Sequence, residues 1–139
     1  MSLLELKIKK LQEKLKAAAE FMEANKSKEN IHSTESGLQY EILEAGSGAT
    51  LKAHQKVTVH YEGRLVNGKI FDSSYNRNKT ATFALVHVIQ GWSEALQLMP
   101  LHAKYRLFIP PYLGYGEQGA GTIGANEVLI FEVELLGIS

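Results

Sequence analysis

The segment Val88-Ile89-Gln90-Gly91-Trp92-Ser93-Glu94-Ala95-Leu96-Gln97-Leu98-Met99 carries the single tryptophan of the chain and a helical repeat in otherwise alternating sequence. Trp92, Ala95, Leu96 and Met99 fall on one face at helical spacing, which predicts a short helix over 92–98. An indole offers the largest apolar surface of any side chain, with one donor at its edge. Behind Gly91 and at the start of a helix, Trp92 suits the floor of a pocket. It suits equally a plug in the core.

On either side of this segment the apolar period is two. Leu38, Tyr40 and Ile42 alternate with polar neighbours, as do Val57, Val59 and Tyr61. Tyr105, Leu107 and Ile109 repeat the pattern, and so do Leu129, Phe131, Val133 and Leu135. Such alternation marks strands with one buried face. Asn67-Gly68, between Arg64-Leu65-Val66 and Lys69-Ile70-Phe71, predicts a two-residue hairpin. Thr82-Phe83-Ala84-Leu85 reads as a further short strand. The expected fold is α+β: a five- to six-stranded antiparallel sheet around one short central helix.

A long α-helix over residues 4–25 precedes this domain. Leu4, Ile8, Leu11, Leu15, Ala18 and Met22 form a narrow heptad-like seam among Lys and Glu. One reading docks the helix on its own domain. The narrowness of the stripe favours the other, a helix that pairs with a second copy. Residues 26–36 are almost devoid of apolar side chains and read as a linker. The expected division is therefore 1–36, helix and linker, and 37–139, the globular domain.

Composition narrows the function. The 139 residues hold 15 Lys plus Arg and 15 Asp plus Glu, a formal net charge of zero. Nucleic acid is thus not the expected partner, since phosphate binding wants a basic excess. Cysteine is absent, which removes thiol nucleophiles, disulfides and thiolate metal sites. No apolar run approaches the roughly 20 residues of a membrane span. The first ten residues are already charged, so no signal peptide is legible. The absence of cysteine fits any redox compartment.

Several motifs fail on context. Gly114-Tyr-Gly116-Glu-Gln-Gly119 and Gly119-Ala-Gly121-Thr-Ile-Gly124 match the dinucleotide fingerprint in form, but a helix should follow and a strand does. His32, His54, His60, His87 and His102 show no metal-ligand spacing, and no metal or cofactor is expected. Asp72, Ser73 and Ser74 lack the turn of a hydrolase nucleophile, and no histidine is tied to them by spacing. The segment Pro110–Asn126 is a long loop with aromatic and aliphatic residues, which predicts ordering over a pocket.

One constellation survives. Phe71-Asp72-Ser73-Ser74 follows the hairpin, with Arg77 just beyond. Val88-Ile89 precedes Trp92, Tyr115 lies in the glycine-rich loop, and Phe131 lies in the last strand. Large apolar groups with a few polar tips are the composition of a small-ligand cleft.

These residues resemble a family. Val59-His60-Tyr61-Glu62-Gly63, Phe71-Asp72-Ser73-Ser74, Val88-Ile89-Gln90-Gly91-Trp92, Tyr112-Leu113-Gly114-Tyr115-Gly116 and Leu129-Ile130-Phe131-Glu132-Val133-Glu134-Leu135 are similar, in unbroken order, to the signatures of FKBP-type peptidyl-prolyl cis-trans isomerases. Ser36–Tyr40 and Glu94–Pro100 resemble the bacterial, macrophage infectivity potentiator-like branch. That resemblance implies rotation of X-Pro bonds in an apolar aromatic pocket, in the service of protein folding and without a cofactor. Trp92 would be the floor, with Tyr61, Phe71, Tyr115 and Phe131 around it and Asp72 at the rim, held by Tyr61 and Arg77. Phe83, Val88, Ile89 and Ile123 complete the implied ligand-binding set. Proline-containing peptides and unfolded proteins are the implied partners, with macrolides such as tacrolimus or rapamycin as further ligands. Residues 4–25 resemble the end of a dimerisation region, which implies a homodimer. A proline-binding or chaperone module with little catalysis is the alternative reading. Three positions depart from the short eukaryotic members: Ala81 replaces an aromatic, His87 stands where glutamate is common, and Ala120 lies near a frequent histidine. All three alter the rim and leave the matched walls intact.

Overall fold

The computed structural model describes residues 1–139. Helix α1 spans Leu3–Lys26, with the Ser2 hydroxyl accepting from the Glu5 N–H at its start. The strands are β1 (His32–Ser33), β2 (Gln39–Glu44), β3 (Lys56–Leu65), β4 (Ile70–Ser73), β5 (Ala81–Ala84), β6 (Lys104–Ile109) and β7 (Leu129–Ile138). Helix α2, Gln90–Leu98, lies between β5 and β6, preceded by a 3₁₀ turn at Leu85–His87. A second 3₁₀ turn, Pro111–Leu113, opens the long loop after β6.

All seven strands join one antiparallel sheet, ordered β1-β2-β6-β7-β3-β4, with β5 also paired to β3. The expected α+β architecture and long leading helix are both present. One strand more is present than the alternation predicts. β1 is only two residues, His32 opposite Tyr40 and Ser33 opposite Gln39, in the stretch that reads as linker. A strand so short has no period to detect; stacking of the His32 and Tyr40 rings at 5.0 Å accompanies the pairing.

The hairpin also differs in detail. A two-residue type I′ turn needs positive φ at both central residues. Here Gly68 has φ +90° while Asn67 does not enter that region. The Asn67 side chain instead accepts the Lys69 N–H at 2.9 Å, an Asx arrangement that widens the loop between Leu65 and Ile70.

Alternation along the long strands sorts the faces. Val57, Val59, Tyr61 and Leu65 of β3 point to the same side as Leu129, Phe131, Val133 and Leu135 of β7. They wrap α2, whose Trp92, Ala95 and Leu96 are buried with Met99, as the helical spacing predicts. On the opposite face of the sheet, Ala18 and Met22 of α1 pack on Phe108 and Val128, with Phe21, Ile31 and Ile130 at the margin. The C-terminal half of α1 thus docks on its own domain. Leu3, Leu4, Ile8 and Leu15 remain exposed. The docked reading of the seam describes Ala18 and Met22.

Candidate active site

Strand parity places the first site residue. Tyr61 sits at an inward position of β3, opposite Val133 of β7, and Phe131 lies one inward step along β7 opposite Gly63. Gly63 also pairs with Asp72 on β4. A Cβ on Gly63 would lie 2.6 Å from both the Phe71 and the Phe131 ring. Only a glycine there lets those two rings meet edge to face, with centroids 5.4 Å apart and planes at 90°. Gly91 plays the matching part under α2. A Cβ there would come 2.7 Å from the Ile109 side chain, so glycine lets the helix start close to β6 and sets the depth of Trp92.

Trp92 is 4% exposed. Three rings stand nearly perpendicular to it: Tyr61 at 5.2 Å, Phe83 at 5.6 Å and Phe131 at 5.2 Å between centroids. Edge-to-face pairs of this kind add about 0.5–1.5 kcal/mol each beyond the buried area. The indole N–H is buried without a hydrogen-bond partner. Above it opens a cavity of about 240 Å³ lined by Tyr61, Phe71, Asp72, Phe83, His87, Val88, Ile89, Trp92, Tyr115 and Phe131. Core plug and pocket lining are therefore the same residue here: Trp92 belongs to the core cluster and also lines the cavity.

The polar edge is built as a chain. The Tyr61 hydroxyl donates to Asp72 Oδ2 at 2.5 Å, and Arg77 donates to Asp72 Oδ1 at 2.5 Å and to the Tyr61 hydroxyl at 3.1 Å. The Arg77 guanidinium also lies 5.8 Å from the Tyr61 ring centroid. Burial pushes the Asp72 carboxyl up, but the hydrogen bonds from Tyr61 and Arg77 and the Arg77 charge outweigh it, so the net shift is downward. Tyr61 is pushed up, first by burial and then by its bond to Asp72. Asp72 is thus an anion and Tyr61 a neutral donor across ordinary pH.

Of the residues singled out by sequence, nine line the cavity: Tyr61, Phe71, Asp72, Phe83, Val88, Ile89, Trp92, Tyr115 and Phe131. Two do not. Arg77 acts on the cavity through Asp72 and Tyr61. Ile123 is 8% exposed and belongs to the core cluster, where its main chain pairs with Ala120. It packs into the core and is not among the residues lining the cavity. His87, one of the three departures expected to alter the rim, also joins the lining. Gly63 was missed because the need for it arises only from two rings brought together across strands.

The serines are not a nucleophilic site. Ser74 is fully buried, and its hydroxyl accepts the Tyr61 N–H at 2.7 Å while lying 3.2 Å from the Tyr61 carbonyl. His60 Nδ1 does approach that hydroxyl, at 2.8 Å, a pairing that sequence spacing did not show. Substrate cannot reach it; the group pins the backbone of Tyr61. The glycine-rich segment likewise makes turns, with positive φ at Gly116, Gly119 and Gly121, and runs into β7 with no helix to face a pyrophosphate. No group of three or more His, Asp or Glu side chains is arranged to hold a metal ion.

Fold and site together define an antiparallel sheet around a helix whose first turn floors an aromatic cavity. The profile described as "FKBP-type peptidyl-prolyl cis-trans isomerase" matches residues 48–136. A second, "Domain amino terminal to FKBP-type peptidyl-prolyl isomerase", matches residues 2–42. The chain belongs to the FKBP-type peptidyl-prolyl cis-trans isomerase family. It is 52% identical over 126 residues to the FKBP-type isomerase FkpA of Aeromonas hydrophila, covering 91% of this chain and 47% of that one. It is 51% identical over 119 residues to the isomerase Mip of Coxiella burnetii, covering 85% and 52% respectively. The crystal structure of FkpA from Escherichia coli superposes with a TM-score of 0.92 at 35% identity, over 98% of this chain and 64% of that chain. The chain spans about half the length of the curated relatives it matches.

Proposed function

We propose that the chain catalyses cis-trans isomerisation of X-Pro bonds, with the proline ring seated on Trp92. The observation that carries this reading is the cavity itself: a buried indole ringed by Tyr61, Phe83 and Phe131, with one anchored carboxylate at the edge. Rotation about the X-Pro amide crosses a barrier of roughly 20 kcal/mol, and without a catalyst takes tens of seconds. No covalent bond breaks. The twisted amide loses resonance and its carbonyl becomes less polar. An apolar wall therefore penalises the planar ground state more than the twisted form. Phe71, Val88, Ile89 and Phe131 supply that wall, while Tyr115 and the Asp72–Tyr61–Arg77 chain orient the flanking backbone. Each tenfold of acceleration asks for about 1.4 kcal/mol of differential binding.

The substrates under this reading are proline-containing peptides and unfolded protein segments. Macrolides such as tacrolimus and rapamycin are expected to fill the same cavity. Exchange spectroscopy on an X-Pro peptide tests the reading. Cis and trans signals should interconvert far faster with the protein than without it. Interconversion at the uncatalysed rate overturns it.

One observation favours a second role. Leu3, Leu4, Ile8 and Leu15 stand exposed along one side of α1, more apolar surface than an isolated helix face retains without a partner. Within 4–25, the exposed Leu4, Ile8 and Leu15 are the surface that would pair with a second copy, Ala18 and Met22 being taken by the sheet. The same surface suits a chaperone role beside catalysis.

A further inference from the structure

The loop that carries Tyr115 is tied to α1. Tyr115 is 40% exposed and held on the cavity by short-range bonds only. The Gly119 N–H donates to the Tyr115 carbonyl at 3.1 Å, and the Gly116 N–H donates to the Pro111 carbonyl at 2.9 Å. The return strand of the loop reaches back through Asn126, whose N–H donates to the Gly116 carbonyl at 2.9 Å. Asn126 holds a left-handed backbone, φ +53°, a conformation that asparagine tolerates better than most residues with a Cβ.

The same residue also reaches the helix. The Asn126 side-chain amide donates to the main-chain carbonyl of Leu11 at 3.1 Å. One residue on, Glu127 receives Lys14 at 2.7 Å. One residue further, Val128 packs on Ala18 and Met22. Three consecutive residues leading into β7 thus meet successive turns of one helix face. Asn126 is the only one of the three that also bonds the residue after Tyr115.

We infer that Asn126 is a positioning residue for the isomerase site, and that α1 buttresses the Tyr115 wall of the cavity through it. The inference rests on the role given to Tyr115 under the proposed function. Its consequence is that movement of α1, for example on pairing with another helix, alters the cavity although no α1 residue lines it.

The test uses the full chain and two variants. Asn126→Gly keeps the left-handed backbone and the bond to Gly116 but loses the amide arm. Ala18→Glu loosens α1 from the sheet and leaves the loop sequence untouched. In both, hydrogen exchange at the Gly119 amide should speed up by about fivefold, the scale of one net hydrogen bond. KM for an X-Pro peptide should rise by a similar factor while kcat stays within about twofold. The far-ultraviolet spectrum of the sheet domain and the Trp92 emission maximum should hold. Parent-like exchange and KM in Asn126→Gly overturn the inference. So do loop changes in Asn126→Gly that Ala18→Glu fails to reproduce. If the unsubstituted chain turns over no X-Pro peptide, the proposed function fails, and Gly119 exchange in the two variants still decides the buttress.

Discussion

At the residue scale the site depends on rings and on one anchored charge. Phe71 is half-buried and contributes mainly to the cavity. Phe71→Ala should therefore lower kcat/KM on an X-Pro peptide by tenfold or more, about 1.4 kcal/mol, with a cooperative unfolding transition retained. Undiminished turnover would remove Phe71 from the machinery. Gly63→Ala puts a methyl where two rings meet. It should cost about 1–3 kcal/mol of stability by denaturant titration and lower turnover as well, because Phe71 and Phe131 must both shift. Asp72 sets an acid limb. Its carboxyl lies below the ordinary value of 3.8 in the folded protein, so its contribution to stability is present above about pH 4 and fades as pH falls through the lowered folded value. Denaturant titrations between about pH 5 and pH 2 should show a shallower loss in Asp72→Asn than in the parent. Asp72 and Arg77 are each well exposed, so solvent screening keeps this effect small. Tyr61 has the opposite sign. Its raised value means the bonded form is stabilising below pH 10 and is lost as pH rises beyond that.

Composition alone drew together Phe71, Asp72, Arg77, Val88, Ile89, Trp92, Tyr115 and Phe131 as large apolar groups with a few polar tips; the resemblance added Tyr61, Phe83 and Ile123 and the role of each. Ile123 lies in the core cluster and not on the cavity, a placement that a loop without period does not encode. The His60–Ser74 pair was not legible either, since it requires the register of β3 against the turn after β4.

At the element scale, α1 is held at its C-terminal end by a small buried amide network. Asn25 donates to the Gln39 side chain at 2.8 Å, and Gln39 donates to the Met22 carbonyl at 2.8 Å. Asn25 and Gln39 are both buried. Asn25→Ala leaves the Gln39 carbonyl oxygen without its donor and should cost about 1–3 kcal/mol. Asn25→Asp, which presents oxygen to oxygen, should cost no less. A stability change within about 0.3 kcal/mol in Asn25→Ala would mean the network does not hold α1. The helices and long strands could be read from period alone because their faces are sorted by burial. The two-residue β1 and the form of the hairpin could not: β1 is too short to show a period, and the hairpin closes through backbone bonds from Gly68 to Leu65 and from Leu65 to Lys69 that a dipeptide signal does not specify.

At the scale of the whole molecule, the exposed half of α1 predicts self-association. Sedimentation at high concentration should show a dimer, and replacing Leu4, Ile8 and Leu15 together by Glu should give a monomer with an unchanged sheet domain. A monomer at all concentrations in the parent would count against pairing through 4–25. The alternation of the strands and the helical face of Trp92 set the architecture, because each is a local consequence of which side chains must leave water, while the ordered motifs pointed to the cavity through their resemblance to a family. The seven-stranded pairing, the glycine under the crossing rings, the His60–Ser74 contact and the clasp from Asn126 to Leu11 arise between residues far apart in sequence. They depend on register and on the angle at which α1 meets the sheet, and no local pattern encodes either.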